Sequence, residues 1–342
     1  MRTSRDRASS ARRRLTLARK PSARAPAILA LALLGLAIGC TKSGNLEAGA
    51  FGLGGAASMV CVAPATDAAR DVACSRWACG HAELAAAPWD GNPTSCDAGS
   101  IDDGARGRAL RVINAYRLLA GVRELVIEAE WEGPAQECAL LAHANGDLSH
   151  DPSPDWACWS ERGARASAVS LVANRSAPQA IDPFMEDMGN EATMVHRRWL
   201  LSEKIHRIGL GSTSRFTCAL VDGREWDREP VEPPSGATPP AWVAWPPPGP
   251  IPMNVFRRTR LDAVGWTIQS STLDLDGATV DVRVAGEPRA VTVVPLERTM
   301  GSLTAIRFVP DGWSTQAGRR YDVHVERGDV VIDYAVEPTD CR

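Results

Sequence analysis

The sequence predicts an α+β protein in which a helical region precedes a small antiparallel β-sandwich. Apolar residues recur with helical spacing between residues 103 and 200, whereas they alternate with polar residues between residues 280 and 336. A stretch with ten prolines among the 23 residues from Pro230 to Pro252 separates the two patterns. The chain of 342 residues is long enough for two domains, and its 44% hydrophobic and 23% charged residues are ordinary for a globular protein.

Residues 1–40 predict a lipoprotein signal peptide. Residues 1–26 contain nine Lys or Arg and one Asp, and residues 27–39 are an uncharged apolar run of 13 residues, which is short for a membrane-spanning helix. An uncleaved membrane anchor is the alternative. The segment AIGC resembles a bacterial lipobox, so Cys40 is the expected lipidation site. The resemblance implies export to the outer membrane or cell surface, with the lipid as the contact to the membrane.

The predicted mature chain is strongly acidic. The whole chain has a formal net charge of −3, and because the leader holds nine basic residues and one acid, its removal leaves a charge near −11. Such a chain offers no basic stripe with which to neutralise phosphates. Nucleic acid is therefore not an expected partner.

The cysteine count fits an exported chain with four disulfides. Without the lipidated Cys40, eight of the nine cysteines remain as disulfide candidates: Cys61, Cys74, Cys79, Cys96, Cys138, Cys158, Cys218 and Cys341. A zinc site built on Cys74, Cys79 and His81 is the less favoured alternative, because an exported chain meets an oxidising compartment that favours disulfides.

Two segments are expected between the leader and the first long helix. Residues 41–60 are rich in Gly and Ala and lack periodicity, which is typical of a flexible tether. Residues 61–102 contain four cysteines in a polar context and predict a small disulfide-rich segment.

A domain with three helices and a strand is expected over residues 103–225. The first helix ends before Gly121, where a helix cap favours glycine, the second has Pro134 in its first turn, and the third follows Met194. The apolar stripe of the third helix consists of Ala192, Val195, His196, Trp199 and Leu200. His196 is thus expected to face the core. The simplest interpretation is that its imidazole is hydrogen-bonded there and has a structural role.

Residues 226–254 predict a proline-rich linker or a strap laid across a surface. The strap is favoured because free linkers seldom contain two tryptophans, here Trp242 and Trp245. Residues 255–342 then predict the β-sandwich, from short alternating runs separated by turns such as Arg327-Gly328-Asp329.

Three motifs within residues 105–220 resemble the CAP superfamily of cysteine-rich secretory, antigen 5 and pathogenesis-related proteins, and in particular its bacterial SCP-like extracellular members. INAYRLLAGVREL is similar to the family's first helix. HANGDLSHDPSPDWACWSERG resembles the segment that carries the family's first histidine, and MVHRRWLLSEKIHRIGLG resembles the segment of its second, with Val195 where glycine is usual.

The resemblance implies an α-β-α sandwich with a cleft into which His150 and His196 point. Neutral imidazoles there could bind a divalent metal such as zinc. The acids that often accompany the pair are missing from GARASAVSLVANRSAP, and the candidate replacements are Glu186, Asp187 and Glu191, with Asn190 beside them. Two histidines fall short of the three protein ligands of a catalytic zinc, so metal binding stays open.

Two disulfides are expected around this domain. A bridge between Cys138 and Cys158 would pin the loop that carries His150, and a bridge between Cys218 and Cys341 would tie the C-terminus back to the domain. Eight cysteines allow many other pairings, so the connectivity stays open.

Three functions are considered, in order of preference. The first is a non-enzymatic, lipid-anchored surface module that binds a small molecule, a lipid, a cell-wall component or a metal in the two-histidine cleft. The second is a hydrolase in which His150 and His196, with Asp187 or Glu191, activate water alone or on a metal. The sequence contains no Gly-x-Ser-x-Gly elbow and no His-Glu-x-x-His helix in support of the second. The third is a structural envelope protein.

Overall fold

The computed structural model describes residues 68–223 and 238–341. The predicted signal peptide, the tether, Cys40 and Cys61 lie outside the described residues. The helices are α1 Ala69–Gly80, α2 Asp103–Leu119, α3 Ala129–Asn145, α4 Glu161–Ala168, α5 Ile181–Glu186, α6 Val195–Leu200, α7 Met253–Arg258 and α8 Leu261–Val264. The strands are β1 Val126–Ile127, β2 Ser170–Ala173, β3 Arg207–Ser212, β4 Thr217–Leu220, β5 Val243–Trp245, β6 Gly249–Pro252, β7 Trp266–Ser270, β8 Thr279–Val284, β9 Glu287–Arg289, β10 Val291–Pro295, β11 Thr304–Pro310, β12 Tyr321–Arg327 and β13 Val330–Thr339. Within the described ranges, every helix is too short or too polar to span a bilayer.

The first sheet and its helices form three layers. Its strand order is β1-β3-β4-β2, with β1 parallel to β3 and the other pairs antiparallel. Ile208 and Leu210 of β3 pack with α2 and α5 on one face, and Cys218 and Leu220 of β4 pack with α3 and α4 on the other. The α-β-α arrangement expected from the family resemblance is confirmed, and we call this part the three-layer domain.

The glycines of β3 allow α3 to lie directly against the strand. A Cβ atom at Gly211 would lie 2.1 Å from the carbonyl carbon of Ala135, and a Cβ atom at Gly209 would lie 2.6 Å from Cβ of Trp131. Any larger residue would push the helix away. The Gly-x-Gly sequence is therefore explained by close packing of helix on sheet.

The first predicted helix agrees with α2, while the other two differ in length. Apolar side chains at helical spacing on α2, such as Val112 and Tyr116, are fully buried. The second helix, α3, begins five residues before Pro134, at Ala129. The third, α6, has only six residues and ends at Leu200. The backbone carbonyl of Leu200, at this end of the helix, accepts a hydrogen bond from the buried guanidinium of Arg117.

The C-terminal part is a β-sandwich, as predicted. One sheet has the order β10-β11-β7-β5 and the other β6-β13-β12-β8-β9. All neighbouring strands are antiparallel except β6 and β13, which are parallel. Trp266 and Phe308 of the first sheet and Val323 and Val336 of the second belong to one buried cluster, so the two sheets enclose a common core.

The proline-rich stretch supplies an edge strand to each sheet. Residues 243–245 form β5 and residues 249–252 form β6, each at the edge of its sheet. Proline is tolerated at an edge because that position leaves one row of backbone N–H groups unpaired. Trp245 is fully buried. The sandwich therefore begins upstream of the expected boundary at residue 255, and residues 243–245 and 249–252 are strands of it, in contrast to the expected linker or strap.

The described disulfides correct the pairings expected from the sequence. Cys138 pairs with Cys218, Cys96 with Cys158, and Cys74 with Cys341, in contrast to the expected pairs Cys138–Cys158 and Cys218–Cys341. Cys79 is also disulfide-bonded. The loop that carries His150 is thus tied to the N-terminal segment, and the C-terminus is tied to α1. These bridges indicate an oxidising environment for the folded chain.

Candidate functional site

His196, in the first turn of α6, is oriented by a buried carboxylate. Its Nδ1 lies 3.0 Å from Oδ1 of Asp187, whose side chain is 0% exposed. Asp187 is itself held in place, because its oxygens accept hydrogen bonds from the backbone N–H of Arg197 and from the side-chain amide of Asn190. Since a carboxylate only accepts, the proton of the neutral His196 ring lies on Nδ1. Nε2 then has a free lone pair.

The second nitrogen of His196 is left available. The side chain is 14% exposed, and none of the residues in the described ranges bonds to its Nε2. Phe184 packs edge-to-face against the imidazole, with ring centroids 5.0 Å apart. The ring is therefore fixed on one side and accessible on the other, an arrangement that suits a binding or proton-transferring group.

Glu191 lies close to Asp187 and His196 in the sequence, but its carboxylate contacts the backbone of Gly189. Its carboxylate accepts a hydrogen bond from the N–H of Gly189, which lowers the pKa of Glu191 below its ordinary value. The structure therefore brings Asp187 and Asn190, two of the four predicted polar neighbours, into contact with His196, while Glu186 pairs with Arg260 at 3.7 Å.

His150 is held by a different part of the domain. It is exposed, and its Nδ1 lies 2.8 Å from the carbonyl oxygen of Ser167 in α4. Within residues 68–223 and 238–341 no hydrogen bond, ion pair or ring contact joins His150 to His196. The same residues contain no group of three or more His, Cys, Asp or Glu side chains that could hold a metal ion. This donor set does not fit a catalytic zinc.

Comparison with known proteins assigns this part of the chain to a family. Residues 110–216 match the model of CAP, the cysteine-rich secretory protein family. These residues are a CAP domain. A search of curated proteins and a search of solved structures found no match. The family match ends at the turn between β3 and β4 and does not include the sandwich.

The first motif of the CAP domain fastens the loop that follows α2. The side chain of Asn114 bonds both the N–H and the carbonyl of Leu125, at 2.8 and 3.0 Å. Gly121 has a φ of +72°, which glycine adopts without strain. Arg117 is 0% exposed and donates to the carbonyl oxygens of Arg123, Leu200, Ser202 and Ile205. These motif residues are structural.

Two arginines that follow His196 join the CAP domain to the sandwich. Both are 0% exposed. Arg197 donates to the carbonyls of Met185 and Glu186 in the CAP domain and to that of Gly265, just before β7 of the sandwich. Arg198 donates to the carbonyls of Thr193, Glu297 and Ser302, the last two of which lie in the sandwich. The helix that presents His196 is thereby clamped to both halves of the molecule.

A groove between the CAP domain and the sandwich was not anticipated from the sequence. It has a volume of about 520 Å³ and is lined by Trp199, His206 and Leu303, among others, and by none of the predicted site residues. Burial, together with nearby arginines, lowers the pKa of His206. No spacing rule predicts this groove, because its lining comes from helix, strand and loop residues that are far apart in the chain.

His81 belongs to a charged cluster rather than to a zinc site. Its Nε2 lies 2.9 Å from Oδ1 of Asp182, which also accepts a hydrogen bond from the hydroxyl of Tyr116 at 2.7 Å. Arg258 of α7 donates to the other oxygen at 2.9 Å. Burial raises the pKa of Asp182, but the hydrogen bonds and charges of His81, Tyr116 and Arg258 outweigh it and lower the pKa overall. The cluster joins α1, α2, α5 and the sandwich.

Proposed function

We propose that the protein is an exported, lipid-anchored CAP-domain protein that binds a ligand without transforming it, and that Nε2 of His196 is a contact atom. The observation that supports this is the pairing of His196 with the buried Asp187, which fixes the ring while its second nitrogen stays accessible. A carboxylate on one imidazole nitrogen holds the tautomer and the orientation of the ring, which favours ligand binding at the other nitrogen.

The arrangement around His196 supplies binding groups but an incomplete catalytic set. A hydrolase that works by acid–base chemistry needs the imidazole to reach a water molecule or a nucleophile beside the substrate. In the described residues the contacts of His196 are Asp187, Asn190 and Phe184, and none of these is a nucleophilic hydroxyl or thiol.

The test follows the ring resonances of His196 by NMR while Zn²⁺ is added as a titrant that reports accessible imidazole nitrogens. We expect His196 to respond before His324, an exposed histidine whose Nδ1 is also paired with a carboxylate, Asp333, at 2.7 Å, and whose Nε2 lies 3.7 Å from Glu326. His196→Ala identifies the resonance. An unchanged His196 resonance, with His324 responding, would contradict the proposal.

The same purified protein distinguishes binding from catalysis. Hydrolysis of a simple activated ester should proceed at the buffer rate, and His196→Ala should not alter it. A rate above the background that is lost in both His196→Ala and Asp187→Asn would assign the hydrolase function instead.

The predicted lipid anchor has its own test. Cys40→Ser should release the protein from the membrane fraction into the soluble fraction, and mass spectrometry of the wild-type N-terminus should show a lipidated cysteine. Retention of the Cys40→Ser variant in the membrane would favour an uncleaved anchor.

A further inference from the structure

A second concave surface lies entirely within the sandwich. It has a volume of about 420 Å³, within the range of about 300–1,000 Å³ that is usual for small-ligand sites. Its lining includes Arg289, Ser314, Gln316, Arg319 and Tyr321, together with Trp313, and we call it the Trp313 cleft.

Two arginines in the cleft lack acidic partners. Arg289 at the end of β9 and Arg319 before β12 are exposed, and the described residues provide their guanidinium groups with no ion pair or hydrogen bond. Arginines elsewhere in the sandwich differ: Arg283, Arg298 and Arg320 each form an ion pair with a carboxylate. In a chain with more acidic than basic residues, two unpaired guanidinium groups in one concavity make a local positive site.

Both arginines line the cleft together with Tyr321. The Tyr321 hydroxyl accepts a hydrogen bond from the backbone N–H of Gln316 at 2.8 Å, which fixes the ring. Burial raises the pKa of this hydroxyl; the Gln316 hydrogen bond lowers it, the charge of Asp262 raises it, and the charges of Arg319 and Arg289 lower it. The aromatic side of the cleft is therefore held in one position.

Trp313 provides a rigid aromatic wall. Its ring stacks on that of Tyr321, with a centroid distance of 5.4 Å and an interplanar angle of 17°. Its Nε1 donates to the carbonyl of Ala290 at 2.6 Å, which prevents rotation of the indole. Trp313 remains partly exposed, while Tyr321 is buried. A ligand that enters the cleft therefore meets a fixed indole beside two cationic groups.

We propose that the Trp313 cleft binds an acidic sugar, that is, a sugar ring that carries a carboxylate or a phosphate. Guanidinium groups bind carboxylate and phosphate oxygens in a planar, bidentate manner. The indole offers an apolar surface to the ring, and the side chains of Ser314 and Gln316, both exposed, are hydrogen-bonding groups for its hydroxyls. This site uses no residue of the His196 proposal, so either can fail without the other.

The test measures binding of trigalacturonate to the full-length protein in detergent by isothermal titration calorimetry. The matched ligand control is the methyl ester of trigalacturonate, which keeps the rings and removes the charge. Glucose 6-phosphate and inorganic phosphate are titrated in parallel. We expect trigalacturonate, glucose 6-phosphate or both to bind. The methyl ester and inorganic phosphate should bind much more weakly. The acidic sugar that binds more strongly identifies whether the cleft prefers a carboxylate or a phosphate.

The matched protein control is a pair of neighbouring arginines. Arg319→Gln should weaken binding about tenfold, because it removes a charged hydrogen-bond donor from the ligand. Arg320→Gln makes the same change in net charge, but its guanidinium is paired with Asp322 and Glu337, so affinity should stay within about twofold of the wild type. Trp313→Ala should also weaken binding, and its thermal unfolding checks that it folds.

Three outcomes would overturn the proposal. The first is that neither trigalacturonate nor glucose 6-phosphate binds. The second is that trigalacturonate binds no better than its methyl ester, or that glucose 6-phosphate binds no better than inorganic phosphate. The third is an equal loss of affinity in Arg319→Gln and Arg320→Gln, which would mean that only net charge is sensed. The ligand controls use the wild-type protein, so they decide the matter even where a variant fails to fold.

Discussion

At the scale of single residues, the CAP domain depends on arginines that bind backbone carbonyls in its interior. Burial lowers the pKa of Arg197 to about 10, which leaves the group charged at neutral pH. Its three carbonyl acceptors lie on both sides of the joint between the CAP domain and the sandwich. A buried charge of this kind is stable only while all of its partners are present.

Arg197→Met should lower the free energy of unfolding by about 3 kcal/mol. The methionine fills part of the volume but leaves buried carbonyl groups without donors. Urea denaturation followed by tryptophan fluorescence measures the change. Arg283→Met, at an exposed arginine paired with Asp281, should change stability by less than about 0.5 kcal/mol. A similar small effect at Arg197 would mean that water satisfies the carbonyls.

Asp182 makes stability depend on pH in the acid range. Its folded pKa is lowered despite burial, so the stability it contributes is fully present above its unfolded value of 3.8 and is lost as the pH falls through the folded pKa. Asp182→Asn should therefore be less stable than the wild type at pH 7, and the difference should shrink below about pH 4. Unfolding curves at several pH values measure this difference.

The control for the pH experiment is an exposed carboxylate. Within the described residues, the ion pair of Asp281 is with Arg283 at the surface, so Asp281→Asn should show little difference from the wild type at any pH. A constant difference for Asp182→Asn from pH 7 to pH 3 would show that its role is packing and not charge.

At the scale of secondary-structure elements, the contact between α3 and β3 determines how the layers fit. Gly211→Ala should cost about 3 kcal/mol, because the new Cβ would overlap the backbone of Ala135. Gly107→Ala in α2 is the matched control. A Cβ there meets nothing within 4 Å, and alanine favours a helix by about 0.5–1 kcal/mol over glycine. The two variants should move the melting temperature in opposite directions.

The elements that could be predicted from the sequence are those whose apolar residues recur at a regular spacing within a short segment. The α2 stripe and the strands of the sandwich follow from residue spacing, since each buries one face against the rest of the molecule. The short α6 and the edge strands β5 and β6 could not be predicted in this way. The last carbonyl of α6 is bonded by Arg117, which is 83 residues from Leu200, and the proline-rich strands form only because each sheet has an edge to receive them.

The candidate site was predictable in part for the same reason. His196, Asp187 and Asn190 lie within ten residues of one another, so the sequence could place them together. The His81–Asp182 cluster and the groove at Trp199 combine residues from distant segments, and no spacing rule predicts them. Most of the Trp313 cleft lies between residues 312 and 321, but the position of Arg289 beside that segment depends on the fold. The disulfide pairings were wrong because the number of cysteines does not determine their connectivity.

At the scale of the whole molecule, the CAP domain and the sandwich share one apolar core. Tyr116 of α2 packs against Trp245 of β5, with ring centroids 5.3 Å apart, and both belong to a buried cluster that includes side chains of the first sheet and of both sandwich sheets. The disulfide between Cys74 and Cys341 adds a covalent link between α1 and the C-terminus.

This shared core predicts that the two parts unfold together. Differential scanning calorimetry of the oxidised protein should show one transition, with a calorimetric enthalpy equal to the van't Hoff enthalpy. Arg197→Met should shift that single transition to lower temperature, because Arg197 stabilises both parts at once. Two independent domains would instead give two transitions, of which Arg197→Met would move mainly one.

A single transition would mean that a ligand bound at His196 stabilises the sandwich as well. The two proposed sites would then be coupled through the stability of a single folded unit.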